Sequence, residues 1–236
     1  MPQNQRSVFI TGGTGYLGRP LIQRLLMRGH EVRALVRPGS ESKLTIRCNV
    51  IQGNALDASS YASQISPSDT FVQLVGVAHP SPTKKKEFRS IDFVAAREAI
   101  KAAVQAGIKH FIYLSVAHPA PAMKAYIEVR SECEQFLRDS GMNATVLRPW
   151  YVLGPGHWWP YALLPVYWLF ELIPFTQAGA RRLGLVTHEQ MVNALVFAVE
   201  NPCSGTRIVE VPEIRAQQGV WASRYLGSFL NLFSTI

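Results

Sequence analysis

Apolar residues follow two rhythms along this chain. Short, nearly continuous apolar runs at residues 7–11, 31–37, 49–52, 70–75, 110–115 and 144–147 predict strands. Between them, residues 15–28, 58–64, 86–106 and 122–140 read as helices. The clearest helical spacing runs from Ile91 to Val104 and stops at Gly107, a residue suited to ending a helix. A further helix is predicted at 188–200 and a strand at 206–210. Alternation on this scale implies right-handed crossovers and a parallel, doubly wound α/β sheet. The expected organisation is a main unit over residues 1–150, with a small region over 151–236 packed on it. Ligands of such sheets sit beyond the carboxyl ends of the strands, which sets Gly12, Arg37, Gly53, Gly76 and Ser115 along one rim.

The first rim position carries the strongest motif. Val8-Phe9-Ile10 leads into Thr11-Gly12-Gly13-Thr14-Gly15-Tyr16-Leu17-Gly18, a strand feeding a glycine-rich turn and then a helix. Glycine lets the backbone turn sharply and approach a pyrophosphate without a Cβ clash. The helix that opens there points its free N–H groups and positive dipole end at the phosphates. With the second strand, residues 31–37, at the right distance, the pattern predicts a Rossmann-type dinucleotide site. NAD-selective sites hold the ribose 2′-hydroxyl with an acidic side chain at the end of that second strand. Here the position is Arg37, with Lys43 nearby, a pairing suited to a 2′-phosphate; NADP(H) is therefore favoured over NAD(H).

Composition narrows the remaining classes. Three widely spaced cysteines (Cys48, Cys133, Cys203) with no CxxC argue for a reducing compartment and against a disulfide framework. The histidines show no paired ligand spacing, so no metal site is expected. The leader lacks an apolar signal segment, and the expected location is cytoplasmic. The net charge of +8 suits a polyanionic ligand, and the one dense basic run, Lys84-Lys85-Lys86 with Arg89, reads as a solvated helix face without a nucleic-acid motif. Residues 150–175 hold four of the five tryptophans. Pro160, Pro165, Pro174 and Glu171 interrupt that stretch, so it does not read as a membrane span. It reads as a substrate-pocket wall, as a partner surface, or as a membrane-surface contact over residues 158–182 with Arg181 and Arg182. The tail 217–236 has no clear pattern.

Taken with Gly53-Asn54-Ala55-Leu56-Asp57, Leu74-Val75-Gly76, Phe111 to Ser115, Tyr126 with Arg130, Leu147-Arg148-Pro149 and Val186 to Gln190, the glycine motif resembles the short-chain dehydrogenase/reductase superfamily. Its atypical and extended branch is meant: NmrA-like proteins, the NAD(P)-binding subunit of respiratory complex I, and sugar-nucleotide epimerase-like proteins. The resemblance implies cofactor contacts from Gly12, Thr14, Gly15, Tyr16, Leu17, Arg37, Gly53, Asn54 and Ala55. It implies further contacts from Val75, Gly76, Val77, Pro149, Val152, Tyr126 and Arg130. It also implies a homodimer through the helices at 86–106 and 122–140, and a small-molecule substrate.

Two positions depart from the family pattern. Asn54 stands where the family has an aspartate that binds adenine, and an amide oxygen still accepts there. The family's catalytic Tyr-x-x-x-Lys is Tyr126-x-x-x-Arg130 here. Tyr126 would be the acid–base group, with Arg130 beside it at i+4 and Ser115 orienting a substrate carbonyl. His79 and His118, each followed by proline, read as loop residues on the same rim. Two functions follow: an NADP(H)-dependent oxidoreductase or epimerase-type enzyme, or a non-catalytic dinucleotide-binding sensor or assembly subunit.

Overall fold

The computed structural model describes residues 5–44, 48–120, 122–154, 179 and 182–217. The aromatic stretch beyond Gly154, Arg181 and nearly all of the tail lie outside these residues, and with them the pocket-wall and membrane-surface readings of that segment.

Seven strands form one parallel sheet. They are β1 (Ser7–Thr11), β2 (Glu31–Val36), β3 (Asn49–Gln52), β4 (Thr70–Gln73), β5 (His110–Leu114), β6 (Ala144–Leu147) and β9 (Thr206–Val209), in the order β3-β2-β1-β4-β5-β6-β9. The order reverses direction at β1, between β2 and β4, and the crevice there is where doubly wound sheets bind ligands. Two further strands, β7 (Tyr151–Leu153) and β8 (Leu185–Thr187), pair with each other in parallel. The helices are α1 (Gly18–Met27), α2 (Lys85–Glu87), α3 (Val94–Gln105), α4 (Lys124–Asp139), α5 (His188–Glu200) and α6 (Val211–Ala216). A π-helical turn, Phe88–Phe93, joins α2 to α3, so the predicted helix at 86–106 is one run with an altered pitch near its start.

Strand alternation divides the interior into two cores. Val8, Ile10 and Val72 face α1 and α5, meeting Leu21, Ile22, Leu25 and Leu195. Phe9, Phe71 and Phe111 face the other way, toward α3 and α4. These three rings lie at matched register on β1, β4 and β5, with centroids 5.2 Å apart at both steps. Each is fully buried and contributes about 1.5–3 kcal/mol through burial alone. This aromatic ladder fixes the central strands, and therefore the loops at their carboxyl ends, with little freedom to slide.

Helix α5 is begun by a reciprocal capping box. Gln190 N–H donates to Thr187 Oγ1 at 3.1 Å, and Thr187 N–H donates to Gln190 Oε1 at 2.8 Å. The helix is tied to α1 by Arg28 Nη2 to Glu200 at 2.8 Å and by Arg24 to Asn193. Among the described residues, no helix is long and apolar enough to cross a membrane.

Candidate functional site

The turn between β1 and α1 is shaped by what its glycines lack. Gly12 has φ +76°, and a Cβ there would lie 3.0 Å from the Leu74 carbonyl carbon and 3.1 Å from Val75 N. Gly15 N–H donates to Gly12 O at 3.0 Å, closing the turn. At Gly18 a Cβ would stand 2.2 Å from Gly12 O and 2.7 Å from Gly13 Cα, so only glycine lets α1 start this close to the strand end. Residues 12–17 are spent in this turn, which is why the helix predicted from residue 15 begins at Gly18. Its first turn carries no side-chain cap and no acidic residue. A backbone cradle open at a helix N-terminus fits the pyrophosphate of a dinucleotide. Gly15 is exposed, Thr14 and Tyr16 are half-buried, and Leu17 is buried.

The neighbouring strand ends continue the rim. Arg37 is exposed one residue beyond β2, and Lys43 ends a short turn at Glu41–Lys43. Gly53 is buried, where a Cβ would press on Leu35 Cδ1 at 3.0 Å and Ser60 Oγ at 3.1 Å. Asn54 accepts from Leu56 N–H at 3.1 Å through its amide oxygen, while Ser60 Oγ holds its backbone N–H at 2.9 Å. That oxygen serves its own turn, and the residue is exposed. Ala55 packs against the α3-side core. Val75, Gly76 and Val77 follow β4 and run past the cradle.

Tyr126 and Arg130 share a face of α4, as expected, but Arg130 does not reach out of it. Its side chain is 6 % exposed, and its guanidinium is bound on several sides. Nη2 donates to Asp92 Oδ1 at 2.5 Å; Nη1 donates to Leu114 O at 2.7 Å and to the Tyr113 hydroxyl at 3.2 Å. The guanidinium carbon lies 5.1 Å from the centre of the Tyr126 ring and 5.7 Å from that of Tyr113. Asp92 is fully buried and also accepts from Val77 N–H at 3.1 Å. Gly76 makes the space, since a Cβ there would come within 2.3 Å of Arg130 Nη2. Burial raises the Tyr126 phenol pKa; Arg130 pulls it down, and Asp92 adds to the rise. Arg130 itself stays cationic: burial works against its charge, but Tyr113, Tyr126 and Asp92 outweigh it and hold it well above its usual range.

Ser115 stands at the expected strand end with its hydroxyl turned elsewhere. It donates to Glu134 Oε1 at 2.6 Å. Glu134 is almost fully buried and is gripped by Arg148, from Nε at 3.0 Å and Nη2 at 2.5 Å; Arg148 Nη1 also reaches Glu210 at 3.0 Å. Burial alone would raise the Glu134 carboxyl, but hydrogen bonds from Arg148 and Ser115, with the charges of Arg148 and His118, bring it below its usual range. His118 Nε2 lies 3.4 Å from the same carboxylate. The side chain that faces the site from this strand end is the next one, Val116.

A cleft of about 260 Å³ opens where these parts meet. Tyr16 and Leu17 wall it from the cradle, Tyr126 and Met123 from α4, and Val116 from β5. His79 and Pro80 close one side, and Trp150, Tyr151 and Val152, just past the buried Pro149, close another. His79 (φ +50°) and Met123 (φ +60°) both hold left-handed backbone conformations rare for side-chain-bearing residues. Tyr16 is pinned in turn by α5: its carbonyl meets His188 Nε2 at 2.9 Å, and the two rings lie 4.4 Å apart, edge to face. A Cβ at Gly154 would strike the Tyr16 hydroxyl oxygen at 2.1 Å.

Asp92 and Glu134 are absent from the residues singled out by sequence, and His188 stands among them only as part of the run Val186 to Gln190, with no role of its own. Asp92 had left a signal, a lone acid between Ile91 and Phe93 that burial would force to find a partner. Among the described residues, no group of three or more His, Cys, Asp and Glu side chains could hold a metal ion.

With this geometry in place, the chain can be set beside known proteins. Residues 12–154, more than half its length, match the NAD(P)H-binding family model, and the chain belongs to that family. The ceramide reductase of Caulobacter vibrioides is 24% identical over 223 residues, covering 94% of this chain and 69% of that protein. The photosystem II assembly factor Ycf39 of a Synechocystis species is 24% identical over 144 residues, 60% of this chain; the chain spans 43% of that factor's length. The Bordetella bronchiseptica enzyme WbmH, solved in complex with NAD+, superposes with a TM-score of 0.65 at 20% identity, over 87% of this chain and 75% of that one. That likeness shows the shared fold. The expected resemblance to atypical short-chain dehydrogenases/reductases is met.

Proposed function

We propose that this protein is an NADP(H)-dependent reductase of a small apolar carbonyl compound, with Tyr126 as the proton donor. The observation that carries the reading is the position of Tyr126: it lines an apolar cleft together with cradle residues Tyr16 and Leu17. Its proton affinity is raised by burial, so the phenol keeps its proton at neutral pH. Reduction needs a donor of that kind, whereas oxidation or epimerisation needs the phenolate as a base. A reductase among the relatives supports the same direction.

The dinucleotide, when bound, supplies the hydride. The Gly12–Gly18 cradle holds its pyrophosphate, and Arg37 with Lys43 pairs with a 2′-phosphate. Gly53, Asn54 and Ala55 border the adenine half. Val75, Gly76, Val77, Pro149 and Val152 border the nicotinamide half. Tyr126 then passes its phenolic proton to the substrate oxygen as the carbonyl carbon becomes a carbinol, and recovers a proton from water. Tyr16, Val116, Trp150 and Tyr151 keep water from the reacting carbon.

The test is NADPH and NADH titration, then loss of NADPH absorbance with a panel of aldehydes, ketones and quinones. Tyr126→Phe is expected to lower kcat by about a hundredfold or more while the dissociation constant for NADPH stays close to the parent's. Equal turnover in the two proteins would sink the assignment. A second reading, a dinucleotide-binding sensor or assembly subunit without turnover, is favoured by one observation: the Arg130 guanidinium and the Ser115 hydroxyl are both engaged by buried carboxylates. The similarity to an assembly factor fits it too. Tight NADPH binding with no reduction of any member of the panel would select this reading.

A further inference from the structure

Asp92 lies outside the lining of the cleft, yet it decides what Arg130 can do. A cation one helical turn from Tyr126 would by itself draw out the phenolate. Here both oxygens of Asp92 accept from N–H donors, Oδ1 from Arg130 at 2.5 Å and Oδ2 from Val77 at 3.1 Å. Burial raises the Asp92 pKa; the Arg130 charge and both bonds favour the carboxylate against it. The pair is neutral as a whole. Gly76 locks it, because a Cβ would also meet Asp92 Oδ1 at 2.9 Å.

The other groups around Tyr126 leave this pair in control. Cys133, on the same helix, is buried and its thiol is pushed up; Tyr113, from β5, is pushed up by burial as well. His79 and Tyr151 share the cleft from the loop after β4 and from β7, and Tyr16 shares it from the cradle. Phe88, whose ring centre is 4.9 Å from that of Tyr126, brings no charge. Arg130 and Asp92 are thus the two full charges beside the phenol.

We propose that Asp92 is a positioning residue: it holds Arg130 beneath Gly76, offsets that cation's pull on Tyr126 with its own charge, and so keeps the phenol a proton donor rather than a base. The effect on proton affinity stands on the geometry just given. Its meaning for catalysis rests on the reductase reading.

Asp92→Asn keeps the size and removes the charge. The tyrosinate absorbance of the cofactor-free protein, taken as the difference between parent and Tyr126→Phe backgrounds, reports the Tyr126 titration directly. Its midpoint is expected to fall by about one to two pH units in Asp92→Asn. The alkaline limb of kcat for carbonyl reduction should move the same way. A midpoint that stays put or rises in the folded variant overturns the proposal. Should Asp92→Asn not fold, Asp92→Asn/Arg130→Gln removes both charges together. Its midpoint should stay near the parent's, and a large upward move would show that Asp92 had not been offsetting the pull of Arg130, which also overturns the proposal. A falling midpoint in a protein that reduces nothing supports Asp92 and rejects the reductase. Turnover lost in Tyr126→Phe beside an unmoved Asp92→Asn midpoint rejects Asp92 alone.

Discussion

Around Gly12 the rim is shaped by missing side chains, and around Arg130 by charges that come in pairs. In the first region the constraints are contacts with backbone, some a few residues apart, such as Gly18 against Gly12 O, and some from the next strand end, such as Gly12 against Leu74 and Val75. In the second, each polar group is answered from another element: Arg130 of α4 by Asp92 of the π-helical turn, Glu134 of α4 by Arg148 beyond β6. The regions meet at one cleft, yet they fail differently when altered. A cradle built of backbone loses its ligand when a methyl is added. A paired interior loses its fold when one partner is removed, and tolerates losing both.

The largest effect expected from this contrast is at the buried pair. Asp92→Leu leaves Arg130 buried without its counter-charge, and should lower unfolding free energy by about 3–5 kcal/mol in denaturant melts. Asp92→Leu combined with Arg130→Met should recover most of that loss. A double variant as unstable as the single one would break the comparison, since it would mean that shape rather than charge holds this region.

Gly18→Ala comes next. Its new methyl meets fixed backbone, and a destabilisation of about 1–3 kcal/mol is expected, with a clear loss of NADPH affinity in the same preparation. Gly29→Ala is the control: φ is +83° there with nothing within 4 Å of the added atom, so it should cost about 1 kcal/mol and leave the dissociation constant alone. Similar affinity losses in both would detach the cradle from its glycines.

The smallest effect concerns the exposed edge of the cradle. Arg37→Ser should weaken NADPH about tenfold, or about 1.4 kcal/mol, with NADH unaffected. The gap should narrow as salt is added, because the side chain is open to solvent. Parallel losses for both nucleotides would assign Arg37 a structural part and remove the preference for the 2′-phosphate.

The same contrast explains what the sequence could disclose. Strands Asn49–Gln52 and Ala144–Leu147 and helix His188–Glu200 fall where their patterns put them, and the glycine turn was legible because its rules are local. Residues 58–64, predicted as one helix, are instead two 3-10 turns, Ala58–Ser60 and Ala62–Gln64. Asp57 and Ser60 there bond nearby backbone groups, competing with helix formation. The pairing of Tyr151–Leu153 with Leu185–Thr187 had no signal, since two three-residue strands far apart in the chain show no period.

Ser115 shows the limit most plainly. Its place on the rim was correctly read, but neighbouring side chains at a strand end face different ways, and Val116 takes the position at the cleft. The partners of Arg130 and Ser115 lie 38 and 19 residues away in sequence, beyond the reach of any local pattern.

His79 and Met123 bear on how this protein would change under selection. Each sits in a backbone conformation costing a side-chain-bearing residue about 1–2 kcal/mol, and each turns a wall of the cleft. Glycine at either position would relieve that cost. A library sorted only for heat resistance should therefore accumulate glycine at 79 and 123, and its most robust members should be the poorest at holding whatever the cleft accepts.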